Sequence, residues 1–168
     1  MIRQCKPADM ESIYHVINDG ALAFKGVIPW DCWHEPYMST AELKREMKKM
    51  SFFGWEEEGR LLGVMGFQRV EDVTLIRHAY VLRSRQRRGI GSSLLSYVKG
   101  LSKTRLMVGT WSDAIWAIHF YEKHGFHLLP DKDELLRRYW NIPQRQIETS
   151  VVLGLESHCG RGLGTDVE

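Results

Sequence analysis

"RSRQRRGIGSSLL", residues 83–95, decides how this chain is read. Four arginines and Gln86 crowd in front of Gly89 and Gly91. Ile90, Leu94, Leu95, Val98 and Leu101 then recur at the spacing of one helix face. The stretch before it, "TLIRHAYVL" (74–82), is apolar and β-branched enough to be a strand. Strand, glycines and helix in that order make an anion site. The first-turn N–H groups lack helical acceptors, the helix dipole is positive there, and glycine lets the backbone approach a ligand. Two common phosphate loops fail on specific residues: Ser92 stands where a P-loop needs lysine, and Leu94 stands where a dinucleotide fingerprint needs its third glycine.

Working outward, Ile2–Cys5 is expected as a short strand. A helix with Pro7 in its first turn follows, carrying Ile13, Val16 and Ile17 on one face and ending at Gly20. "GVIPWDCWHEPYM" (26–38) is an ordered loop, and Ser39 with Glu42 forms a capping box for a second helix whose inner face is Leu43, Met47 and Met50. From Ser51 the period changes to that of strands, with a tight turn at Glu58-Gly59 and residues 74–82 as the third strand of a meander. "RLMVGTW" (105–111) reads as a buried strand, 113–126 as a helix stopped by Gly125, and "QIETSVVLGL" (146–155) as a final strand. The expected organisation is one domain over 1–155 and a disordered tail over 156–168, in which the isolated pair His158 and Cys159 carries no metal site.

A net charge of +2 over 168 residues is too small for a general polyanion binder, so any basic function is local. The odd set Cys5, Cys32 and Cys159 gives no disulfide framework or zinc pair, and no signal core or membrane span is present. A cytoplasmic protein with no metal, no membrane contact and no nucleic-acid partner is expected. A homodimer is compatible with the sequence, which does not itself specify the oligomeric state.

The pattern that the loop does fit is Gln-x-x-Gly-x-Gly, Gln86-Arg87-Arg88-Gly89-Ile90-Gly91, after "AYVL". Some thirty residues on, "AIHFYEKHGF" (117–126) matches an Ala-x-x-x-Tyr-Glu-x-x-Gly-Phe helix end. In these motifs and in its element order the chain resembles the GNAT superfamily of N-acetyltransferases. The resemblance implies an α/β (α+β) fold: a mostly antiparallel mixed sheet of about six to seven strands, flanked by about four helices and splayed at the CoA site. It implies acetyl-CoA as cosubstrate and a primary amine as acceptor, with direct attack in a ternary complex. Backbone groups of Ala79, Tyr80 and Val81 would pair with pantetheine. Gln86, Arg87, Arg88, Gly89, Ile90, Gly91 and Ser92 would hold the pyrophosphate, and Tyr121 would meet the departing sulfur. A phenol near pKa 10 is a weaker acid than a thiol near about 8.5, so Tyr121 is expected to act largely as a hydrogen-bond donor.

Other positions depart from the family pattern. Ala114 replaces a frequent asparagine, and Gly109 and Leu75 stand where relatives carry glutamates. Strand alternation puts Leu75, Arg77 and Ala79 on one face and His78 on the other, so His78 is read as a packed histidine and no base is identified. The acceptor site is assigned to Trp30, Asp31, Trp33 and His34 of the 26–38 loop, with Arg77 and Trp111. Arg77 would favour an amino-acid-like or acidic acceptor. A non-catalytic acyl-CoA-binding module of the same fold is the alternative, and its sequence support is the missing base.

Overall fold

The computed structural model describes residues 1–157. Strands β1 (Ile2–Gln4), β2 (Ser51–Glu57), β3 (Arg60–Val70) and β4 (Val73–Val81) pair antiparallel in that order. β5 (Arg105–Trp111) runs parallel to β4, β7 (Ser150–Leu155) is antiparallel to β5, and β6 (His127–Leu128) lies on the outer edge of β7. The sheet order is therefore β1-β2-β3-β4-β5-β7-β6. The predicted turn between β2 and β3 has Glu58 at φ 48° and Gly59 at φ 74°, the twist a two-residue hairpin needs.

Six helices cover the sheet. α1 (Met10–Ala21) and α2 (Thr40–Lys49) bury Ile13, Val16, Ile17 and Leu43 on one face, against Phe52 and Val64. Ser39 Oγ accepts from Glu42 N–H at 3.1 Å and fixes where α2 starts. α3 (Ile90–Leu101) and α4 (Ile115–Lys123) cover the opposite face, where Leu94, Leu95, Val98, Ile118 and Tyr121 pack on Phe53, Met65, Ile76 and Val108. α5 (Lys132–Tyr139) and α6 (Gln144–Glu148) return to the first face and pack on Leu75, Met107 and Val152.

The fold class is as expected, with α5 and α6 added to the four helices. Residues 146–148 are helical and not strand: only Ile147 of this segment is buried, and Thr149 Oγ1 donates to Arg145 O at 2.9 Å as the helix closes. Of the expected tail, Glu156 pairs with Arg105 at 2.8 Å. Residues 158–168, with His158 and Cys159, lie outside the described residues.

The alternation expected along β4 fails at one place. Gly66 pairs with Arg77 while Val64 pairs with Tyr80, so β4 carries one more residue than β3 between those pairs. The extra residue falls at His78, which adopts φ 52°. Side chains beyond this bulge therefore change faces: Ala79 and Val81 join the α3 side, and His78 stays beside Arg77 on the α2 side. A non-glycine residue in this left-handed region costs about 1–2 kcal/mol. The bulge has room because its partner is glycine: a Cβ on Gly66 would stand 2.6 Å from Arg77 O.

β4 and β5 then separate. Their ladder ends at Ile76–Val108, although β4 continues on β3 to Val81 and β5 continues on β7 to Trp111. The gap between them is the centre of the site. Gly66→Ala is expected to lower stability by about 1–3 kcal/mol, the range for overpacking, as read by urea unfolding. Unchanged stability would mean that the bulge does not need the close approach of β3.

Candidate active site

A cavity of about 680 Å³ passes through the gap between β4 and β5. At its α3 end it is lined by Val81, Arg85, Gln86, Arg87, Gly89, Ile90, Gly91 and Ser92. The first helical bond of α3 is Ser93 N–H to Gly89 O at 2.9 Å, which leaves the N–H groups of Ile90, Gly91 and Ser92 without helical acceptors. Arg87 at φ 62° and Gly89 at φ 78° turn the chain so that these groups line the cavity. Phe120 closes on Gly91, where an added Cβ would stand 3.5 Å from its ring.

The four arginines divide by geometry. Arg83 is taken by Asp19, which accepts the Arg83 N–H at 2.8 Å and the guanidinium at 3.2 Å. Arg85 and Arg87 line the cavity, and Arg88 is exposed away from it. Arg88 was expected beside the pyrophosphate; it does not line the cavity, and Arg85 does. The intervening short 3-10 turn, Arg83–Arg85, sets this orientation, which residue order does not show.

In the gap, backbone direction follows from one bond. Leu82 N–H donates to Leu62 O at 2.9 Å, so antiparallel alternation turns the N–H of Val81 away from β3 and toward the space left by β5. Ala79, Tyr80 and Val81 all line this space. Tyr121 lines it from α4, buried against Phe120 and Phe126. Burial raises its phenol well above the ordinary range, so it stays protonated at any working pH.

Through the gap, on the α2 and α5 face, the cavity is walled by Tyr37, Arg77, His78, Trp111, Trp140, Ile142 and Gln146. Trp140 packs over Gly109, where an added Cβ would stand 3.6 Å from its ring. Here the sequence expectations need correction. Trp30 is 90% exposed, and Trp30, Asp31, Trp33 and His34 do not line the cavity. Asp31 instead pairs with Arg145 of α6 at 2.8 Å. Trp33 stacks on Tyr37 with ring centroids 5.7 Å apart and packs toward Ile28 and Trp111. It holds Tyr37 in place, and Tyr37 is the residue that the loop presents. Asn18 pins the end of the loop through paired bonds to Met38 N and O at 2.9 and 3.0 Å.

Trp111 lines this wall. Arg77 reaches it too, with its Nη1 held by Glu46 at 3.4 Å and by Gln68 at 3.3 Å, so its charge is partly offset by a carboxylate before any acceptor arrives. Among the described residues, no Asp or Glu lines the cavity. Trp140, Ile142 and Gln146 were missed because only three residues of α5 and one of α6 are buried, too few to register as apolar periodicity. Among the described residues no three His, Cys, Asp or Glu side chains come together as metal ligands.

Glycine loop, free helix N-terminus and parted strands together define an acyl-CoA transferase site, and residues 17–126 match the acetyltransferase (GNAT) family model. The chain belongs to that family and is an acetyl-CoA-dependent N-acetyltransferase. Among curated proteins it is similar to the peptidyl-lysine N-acetyltransferase YiaC of Escherichia coli K12, 35% identical over 131 residues, which cover 77% of this chain and 84% of that protein. Among solved structures it resembles the ribosomal-protein-S18-alanine N-acetyltransferase of Escherichia coli, with a TM-score of 0.69 at 17% identity over 97% of each chain. It also resembles yncA of Salmonella typhimurium, solved with acetyl-CoA, with a TM-score of 0.66 at 18% identity over 96% of each chain.

Gly89→Asp is expected to abolish acetyl-CoA binding with the fold intact. The open space beside Gly89 admits the side chain, but the φ of 78° is strained for it and its charge repels the phosphates. Unchanged affinity by calorimetry would refute the loop as the phosphate site.

Proposed function

We propose that this enzyme acetylates the Nζ of lysine in peptides or proteins, with the acceptor entering from the Tyr37–Trp111–Trp140 end of the cavity. The observation that carries this reading is the wall itself: flat apolar surface, Gln146 as a neutral polar group, and an Arg77 already paired with Glu46. An unbranched methylene stem fits between such rings, and its terminal ammonium gains cation–π attraction before it loses a proton. A carboxylate-bearing amino acid meets there a cation already facing Glu46. The name of the 35% identical relative points to the same acceptor.

The cosubstrate's phosphates would rest on the N–H groups of Ile90, Gly91 and Ser92, with Arg85 and Arg87 supplying charge. Pantetheine would add to the open edge at Ala79, Tyr80 and Val81 as a further strand, with the N–H of Val81 facing the thioester oxygen. Tyr121 would donate a hydrogen bond to the sulfur as the C–S bond breaks. With its phenol raised by burial, complete transfer of its proton to a thiolate is uphill, so the hydroxyl stabilises charge and solvent finally supplies the proton. We also place the enzyme in the cytoplasm, where the thiols of Cys5 and Cys32 stay reduced.

Two peptides test the acceptor, one blocked at its N-terminus with a single lysine, the other lysine-free with a free N-terminus. Mass spectrometry is expected to find acetyl on the lysine peptide at least tenfold faster, and Trp140→Ala is expected to raise that peptide's KM several-fold without changing acetyl-CoA affinity. Preference for the free N-terminus would overturn the lysine reading. For the leaving group, Tyr121→Phe is expected to lower kcat by roughly ten- to a thousand-fold with acetyl-CoA affinity intact. An unchanged kcat with chemistry rate-limiting would return Tyr121 to a packing role.

A further inference from the structure

We propose that His78 is the proton acceptor for the attacking amine, with Glu46 of α2 as the residue that positions it and stabilises the imidazolium. This rests on reading the Tyr37–Trp140 end of the cavity as the acceptor side, but not on which amine enters.

Four observations meet at this histidine. It occupies the bulge of β4 at φ 52°, a conformation that glycine or asparagine takes at less cost, and strain of this kind concentrates where function requires it. It lines the cavity at the point where β4 leaves β5. Its Nε2 is buried without a hydrogen-bond partner, an arrangement that a packed histidine usually avoids. Finally, that Nε2 is 3.8 Å from Oε2 of Glu46, a carboxylate only 9% exposed on an otherwise apolar helix face, with the ring stacked on Phe52.

The charged groups that act on His78 are Glu46 and Glu42 of α2 and the neighbouring Arg77; Lys49 acts on Glu46. Phe52 of β2 and Gln68 of β3 bring no charge to the cluster. Burial, with Arg77 beside it, lowers the imidazole below its usual value, so it is neutral and able to accept a proton at pH 7. His78 and Arg77 together hold Glu46 below the ordinary carboxylate range, so it is ionised.

The ammonium of the acceptor loses one proton to solvent. The lone pair then forms the N–C bond at the thioester carbonyl, which makes the nitrogen positive and far more acidic. That nitrogen passes its second proton to the neutral ring of His78. The C–S bond breaks with its electron pair on sulfur, solvent protonates the thiolate, and His78 returns its proton to solvent.

The sign of the pH dependence follows. Below the pKa of His78 both the acceptor and the ring are protonated, so log kcat/KM for the amine climbs with slope two. Above it the slope is one, up to the acceptor's own pKa. The wild-type enzyme is therefore expected to show a break on the acid side of the ordinary imidazole range, measured with whichever of the two peptides it acetylates. His78→Asn, chosen because asparagine tolerates positive φ, should remove the break and lower kcat/KM at pH 7 by roughly a hundred- to ten-thousand-fold, with acetyl-CoA affinity unchanged. Glu46→Gln should move the break to lower pH. In the wild-type protein, the imidazole titration of His78 followed by NMR should coincide with the kinetic break, a readout that needs no variant to fold. A slope of one throughout, a break that survives in His78→Asn, or an NMR titration that misses the break would each overturn the assignment. None of these results bears on whether lysine is the acceptor.

Discussion

The site depends on where β4 stops pairing with β5. A parallel ladder that ran the full length of both strands would close the sheet and leave no passage between its faces. Here the ladder ends at Ile76–Val108, and the two strands go on with other partners. Each keeps most of its hydrogen bonds, so the gap costs the fold little, while β4 is left with one edge of its backbone unpaired. An unpaired strand edge is a standing invitation to another extended chain. In the function proposed above, the pantetheine arm is the chain that answers it.

The extra residue at His78 helps to open that gap, since a bulge adds bend and twist to the strand that carries it. It also reassigns faces. Arg77 and His78 lie together against Glu46, and Ala79 and Val81 turn toward α3, so one insertion serves both ends of the cavity. The glycines on either side allow this geometry: Gly66 lets β3 come close behind the bulge, and Gly63, where a Cβ would stand 2.8 Å from Ile90, lets α3 settle onto the sheet.

Much of this was legible in the sequence because the deciding features are local. The loop of Gln86 to Gly91, the "AIHFYEKHGF" helix end and the change of hydrophobic period at Ser51 each depend on near neighbours, and they led to the family, the fold and the acetyl-CoA cosubstrate. The acceptor end was much less legible. Whether Trp30 or Tyr37 faces the cavity depends on packing against Trp111 and on the hold of Asn18, residues far away in the chain. The change of faces at His78 was hidden for a different reason: a bulge is a property of two strands in register, and the β4 sequence alone reads as unbroken alternation. α5 and α6 bury too few apolar residues to reveal themselves, yet the link between them supplies Trp140 and Ile142, and α6 supplies Gln146.

Those last three residues come after the segment that matches the family model, which ends at Phe126. The glycine loop lies inside that segment, and so does the gap between the strands. One wall of the cavity lies outside it, on a short excursion between β6 and β7 that docks onto the sheet chiefly through Leu135, Leu136, Tyr139 and Ile147. The family segment and this wall thus occupy separate stretches of the chain. On the acceptor reading proposed above, the excursion is an exchangeable part: chains that share the first 126 residues would serve different amines by remodelling only the stretch between β6 and β7.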